Sequence, residues 1–201
     1  MPNKVCKIVD IKSEAKFVLV VEKEGTYQRL TESDFAEEWK CIIVTGKGMP
    51  DTNTRHLVRL IWSFLRIPVL ALVDGDPYGL DIYCQYKYGS LRMAYDSHNL
   101  TVPNMKLIGL RPSDFSLCPF NDHSFEHLSQ RDMNKTEEIL QRPYTDSDHD
   151  LRIELDLFLK YRKKIELQAF NVISIDYLWR EFLPKRIVTG RFLHRGLLGR
   201  E

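Results

Sequence analysis

Along the first half of the chain, unbroken runs of aliphatic and β-branched residues alternate with stretches whose apolar positions recur every three or four residues. That is the pattern of a parallel sheet flanked by helices. Phe17-Val-Leu-Val-Val21, Cys41-Ile-Ile-Val-Thr45 and Val69-Leu-Ala-Leu-Val73 read as strands. Their hydrophobicity is continuous rather than alternating, which predicts strands covered on both faces. A weaker fourth strand is expected at 106–109. Helices are expected between them over 31–39, 51–65 and 77–88. The second has Leu57, Leu60, Ile61 and Phe64 at helical spacing behind Asp51, Thr52 and Asn53 as cap candidates.

After Pro112 the texture changes. Residues 113–127 read as loop, 129–141 as a helix capped by Ser129, and 142–148 as a turn-rich break. Leu151, Leu155, Phe158, Ile165 and Ala169 line one side of a helix of about five turns, with Lys160, Arg162, Lys163 and Lys164 on its solvated side. A last helix is expected over 174–182, ended by Pro184. The reading is an α/β domain with a mainly helical C-terminal extension.

Composition narrows this picture. The 201 residues, 43% of them hydrophobic and 28% charged, suffice for one domain with or without an appendage and exclude a disordered chain. The longest aliphatic runs are short against the roughly 20 residues of a membrane span, so no membrane partner is expected. The start has no apolar stretch of signal-peptide length. Cys6, Cys41, Cys84 and Cys118 form no close pair of the zinc or redox kind and read as buried thiols. The net charge is +1, unevenly spread: residues 1–150 carry 18 Lys and Arg against 22 Asp and Glu, residues 151–201 carry 11 against 6. An anionic partner should therefore meet the second part or a local basic cluster in the first.

The first strand runs into Glu22-Lys23-Glu24 and the third into Asp74-Gly75-Asp76. In a parallel sheet the C-terminal strand ends share one edge, where ligands bind, so these acids gather if strands one and three are neighbours. Carboxylates without His or Cys favour magnesium, which keeps several waters and adds a substrate phosphate. Either segment alone is also an ordinary turn or helix start. Two acids committed to one short turn, opposite a third, repel one another unless a cation sits there. Gly46-Lys47-Gly48 follows the second strand on the same edge. It lacks the upstream Gly and following Ser or Thr of a P-loop, leaving a flexible loop with one cation and bare amides for a polyanion. His123-Ser-Phe-Glu126-His127 spells H-x-x-E-H, but in a loop, where the imidazoles have no reason to share a face.

The blocks VEKEGTYQRL, CIIVTGKGMPDTNTR, PVLALVDGDPYGLDIYCQYKYGS and LTVPNMKLIGLRPSD, with the later Gln141-Arg142-Pro143-Tyr144, resemble the Toprim domain of the meiotic double-strand-break transesterase family, relatives of the A subunit of topoisomerase VI. The resemblance implies a Rossmann-like Toprim sheet over 17–115, a lead-in over 1–16 and a helical extension over 116–201 packed on it. It implies magnesium, with manganese as substitute, at Glu22, Asp74 and Asp76; Glu24 is not the motif position. It implies cleavage of double-stranded DNA by tyrosine transesterification, with the metal stabilising phosphate charge. The family's nucleophilic tyrosine lies upstream of the first Toprim strand, and none of the nine tyrosines here matches it, so no catalytic residue is assigned in this chain. The chain is expected to be the C-terminal portion of a longer protein and to be inactive in cleavage alone. The resemblance further implies a homodimer, a topoisomerase VI B-subunit-like partner with other meiotic proteins, and the nucleus. Lys47, Met49 and Arg55 are the candidate DNA contacts. Two other readings remain: a non-catalytic dimer scaffold, and a D-x-D magnesium phosphatase of the haloacid dehalogenase type, whose motif follows the first strand rather than the third.

Overall fold

The computed structural model of the chain describes residues 10–90 and 97–190. The expected thiol Cys6 lies outside the described residues. Two compact units divide the chain: Met1–Leu72 with Ile82–Lys106, and Val73–Asp81 with Leu107–Glu201.

The first unit is built on β1 (Phe17–Val21), β2 (Cys41–Thr45) and β3 (Val69–Leu72). β1 pairs in parallel with both neighbours, Val21 standing opposite Thr45 on one side and Leu72 on the other. With the short β4 (Lys106–Leu107) the sheet order is β2-β1-β3-β4. Every residue of β1 and β3 is buried, as continuous hydrophobicity requires of strands covered on both faces, while the edge strand β2 is mostly half-buried.

Between the strands run α1 (Glu24–Glu32), α2 (Phe35–Glu38) and α3 (Thr52–Leu65). The single helix expected over 31–39 is a correction: the chain turns at Ser33-Asp34, where the Ser33 hydroxyl accepts from the Phe35 N–H, and α1 begins directly after β1. α3 matches its expected bounds because Asp51 accepts from the Thr54 N–H at 2.7 Å and Arg66, in the left-handed region, ends it. α4 (Pro77–Lys87) and α5 (Ser97–Leu100) follow β3.

The second unit contains β5 (Glu126–His127), α6 (Gln130–Leu140), α7 (Pro143–Ser147), α8 (His149–Tyr161), β6 (Lys163–Lys164) and α9 (Leu183–Thr189). Ser129 caps α6 in a reciprocal box with Asp132, and α7 occupies the expected break behind its N-terminal proline. The five-turn helix expected from 151 to 169 is two structures instead. α8 stops at Tyr161 because Arg162 is left-handed (φ 51°), and Lys163–Lys164 then pairs antiparallel with β5. Arg162, expected on the solvated side of one long helix, is the residue at which it breaks. Pro184 does not end the last helix: a π turn over Leu178–Phe182 runs into α9, with the proline in the first turn, where its missing N–H is harmless. Cys84 is buried, but Cys41 and Cys118 are only half-buried; burial pushes both of those thiols up to about 11.

Candidate metal centre

Glu22 is the first residue past β1 and belongs to the first unit. Its N–H donates to the Leu72 carbonyl at 3.0 Å, and its own carbonyl accepts the Gly48 N–H at 2.8 Å and the Thr45 hydroxyl at 3.4 Å. Its backbone is thus fixed by β3 on one side and the loop after β2 on the other, and the residue is 9% exposed. The loop needs that fixing: Lys47 (φ 56°) and Gly48 (φ 101°) are both left-handed. Lys47 Nζ stands 2.8 Å from Glu24, both largely exposed, and this bond holds the ammonium's pKa above its ordinary value. Such an exposed pair contributes little to stability. Met49 is exposed, whereas Arg55 is only 3% exposed, in the interior of the same unit. There its charge and that of Asp51 act on Tyr86, whose buried hydroxyl has no hydrogen-bond partner and whose pKa burial drives upward.

Asp74 and Asp76 follow β3 and belong to the second unit. Asp74 is 1% exposed and accepts the Leu167 N–H at 2.8 Å. Asp76 accepts the Gly79 N–H at 2.7 Å, bridging into the first turn of α4. Burial first, then the charge of Asp74, push the Asp76 carboxyl up, against the Gly79 bond and the charge of Lys164. Gly79 must lack a side chain, since a Cβ would stand 2.5 Å from the Asp74 carbonyl oxygen.

Among the described residues, no group of three or more His, Cys, Asp or Glu side chains is arranged to hold a metal ion. The donor chemistry nevertheless fits a hard divalent cation. Two carboxylates sit on one backbone-clamped turn, and burial and mutual repulsion disfavour the charge on Asp76; a cation relieves both. His123, Glu126 and His127 are exposed and divided between a 3-10 turn and β5, so they form no zinc face.

The family model for the Toprim domain shared by Spo11 and the topoisomerase 6 A subunit matches residues 17–187. This chain belongs to that family. The meiotic recombination protein SPO11 of Homo sapiens is 41% identical over 194 residues, covering 96% of this chain and 49% of that protein. The A subunit of DNA topoisomerase 6 from Arabidopsis thaliana is 38% identical over 187 residues, 93% of this chain and 44% of that protein. The A subunit of type 2 DNA topoisomerase 6 from Aeropyrum pernix is 31% identical, covering 90% of this chain and 49% of that protein. The chain thus spans about half the length of the relatives it matches. Membership of this Toprim family and the parallel sheet with flanking helices agree with the reading of the sequence.

Two residues that sequence reasoning missed are drawn into ion pairs within the second unit. Lys164, placed on a solvated helix face by periodicity, is 24% exposed and bonded to Asp132 at 3.1 Å. Asp81, buried at 3%, binds Arg142 at 2.5 Å and Lys135 at 3.5 Å. The only available signal was the i,i+4 spacing of Glu138 and Arg142, which are bonded at 2.7 Å.

Proposed function

We propose that this chain is the magnesium-binding, DNA-docking Toprim part of a topoisomerase-VI-A-like meiotic recombination endonuclease, which breaks both DNA strands by tyrosine transesterification in the nucleus. The observation that carries the reading is the Asp74-Gly75-Asp76 turn at the end of β3, in a chain whose family model covers residues 17–187. Glu22, Asp74 and Asp76 are the proposed magnesium ligands, with waters completing the shell and manganese able to substitute. Bound there, the metal supplies positive charge to a DNA phosphate. The chain's own residues do the rest: the Asp pair and Glu22 bind, while Lys47 and Met49 meet the backbone of the duplex. Arg55, buried, is better suited to supporting that loop than to touching DNA.

The attacking tyrosine comes from outside these 201 residues in this reading, and two copies of the whole protein, with a B-subunit-like partner and other meiotic proteins, assemble the active form. The division into a Toprim domain over 17–115 and an extension over 116–201 belongs to the same proposal. A dimer scaffold without metal is the second reading, favoured by the lack of a three-residue metal group among the described side chains. A phosphatase is disfavoured because the D-x-D motif follows β3, not β1. Incubation with supercoiled plasmid and magnesium tests the proposal. The chain should retain plasmid in a magnesium-dependent way without forming covalent product. Covalent adduct would relocate the nucleophile to one of its nine tyrosines, and magnesium-independent binding would favour the scaffold.

A further inference from the structure

The turn carrying Asp74 and Asp76 is gripped by the segment that follows α8. Gly75 N–H donates to the Ile165 carbonyl at 2.8 Å, Ile165 N–H donates back at 3.1 Å, and Leu167 N–H binds the Asp74 carboxylate at 2.8 Å. A Cβ on Gly75 would meet Ile165 Cγ2 at 2.8 Å, so the two backbones approach as closely as glycine allows. The residue before Ile165 is Lys164, whose ammonium lies 3.1 Å from Asp132 and 3.9 Å from Glu126, with its charge felt at Asp76. Asp132 is itself fixed, 4% exposed, by the capping box with Ser129.

The turn and its strap thus gather four carboxylates, Asp74 and Asp76 on the turn and Asp132 and Glu126 beside Lys164, whose charge is felt at Asp76. A divalent cation added to Lys164 still leaves this neighbourhood one negative charge in excess, so a phosphate approaching it needs every positive charge present. An ammonium has three donors, and one at 24% exposure can turn toward an anion at the surface without leaving Asp132.

We propose that Lys164 is a phosphate-binding residue of the D-x-D site, donating to an oxygen of the DNA phosphate that the divalent cation at Asp74 and Asp76 holds, with Asp132 as its positioning residue. The inference rests on the metal reading above. It makes an unusual demand: removing the Lys164 charge should weaken DNA binding while leaving metal binding as tight or tighter, because a positive neighbour of the metal has gone. Mere loosening of the strap would weaken both.

The test uses Lys164→Gln, which can still hydrogen-bond Asp132, Lys164→Arg, and Lys163→Gln as a neighbouring control whose partner Asp122 is on the surface. Mn2+ binding is measured by calorimetry without DNA, and short-duplex binding in Mn2+ across a salt series. Lys164→Gln should bind the duplex about tenfold more weakly, with the salt slope lowered by roughly one, as for one charge-assisted phosphate contact. Lys164→Arg should keep most of the affinity, and Lys163→Gln the wild-type slope. Normal Mn2+ binding with unchanged duplex affinity in Lys164→Gln overturns the assignment alone, as does weakened Mn2+ binding in that variant. Failure of the unsubstituted chain to bind Mn2+ overturns the metal reading, and the assignment with it.

Discussion

Asp114 is bonded by Arg111 at 2.9 Å and by Arg186 at 2.5 Å, with all three side chains nearly buried. Burial raises its carboxyl pKa, but the Arg111 bond and the Arg186 charge outweigh burial and bring it below the ordinary 3.8. Burial works against the charge of Arg186, yet a guanidinium stays protonated throughout. A depressed folded-state pKa contributes stability that is present above the unfolded value and lost as pH falls through the folded one. Acid unfolding should therefore steepen below about pH 4. Asp114→Asn should flatten that limb and cost about 3 kcal/mol at neutral pH, because two buried arginines lose their carboxylate; urea melts at pH 7, 4 and 3 check both. At the surface, Lys47→Ala should lower the salt slope of DNA binding by roughly one while leaving stability unchanged. A slope equal to that of the unsubstituted chain would move the DNA path off this loop. That Glu22, Lys47, Asp74 and Asp76 follow the ends of strands was legible in the sequence, because the unbroken apolar runs stop just before them. The burial of Arg55 was not, since helical spacing alone does not say which face a neighbouring strand will cover.

Among elements, β1 and β2 follow their sequence signals to the residue and α3 to within one residue, for reasons that are local: unbroken apolar runs and an Asp51 cap. The failures come where tertiary pairing overrides periodicity. Phe158, Ile165 and Ala169 continue a helical apolar spacing, but the backbone groups of Ile165 and Leu167 pair with Gly75 and Asp74 instead of extending the helix. A different close approach, of Gly109 to Val73 at the start of the turn after β3, gives a stability prediction. A Cβ on Gly109 would fall on the backbone of Val73, where no flexible side chain can give way. Gly109→Ala should destabilise the chain by more than about 2 kcal/mol. Thermal unfolding checks it, and a melting temperature equal to that of the unsubstituted chain would contradict the packing described for that turn.

For the whole molecule, the small net charge of +1 forbids a uniformly attractive surface, so the proposed DNA binding rests on particular cations and on metal. The family was legible because its motifs lie in short blocks that a single sequence displays. What the sequence could not show is how the segment after α8 clamps the acidic turn through backbone groups, which leave no mark on side-chain pattern. The proposed divalent-cation site comprises Glu22 and the Asp74-Gly75-Asp76 turn. Titration of Mn2+ into the unsubstituted chain, Glu22→Gln and Asp76→Asn, followed by calorimetry, tests it most directly. The account predicts saturable uptake by the unsubstituted chain and binding at least about tenfold weaker in each variant, with folding intact. No uptake, or uptake unaffected by both substitutions, would contradict it.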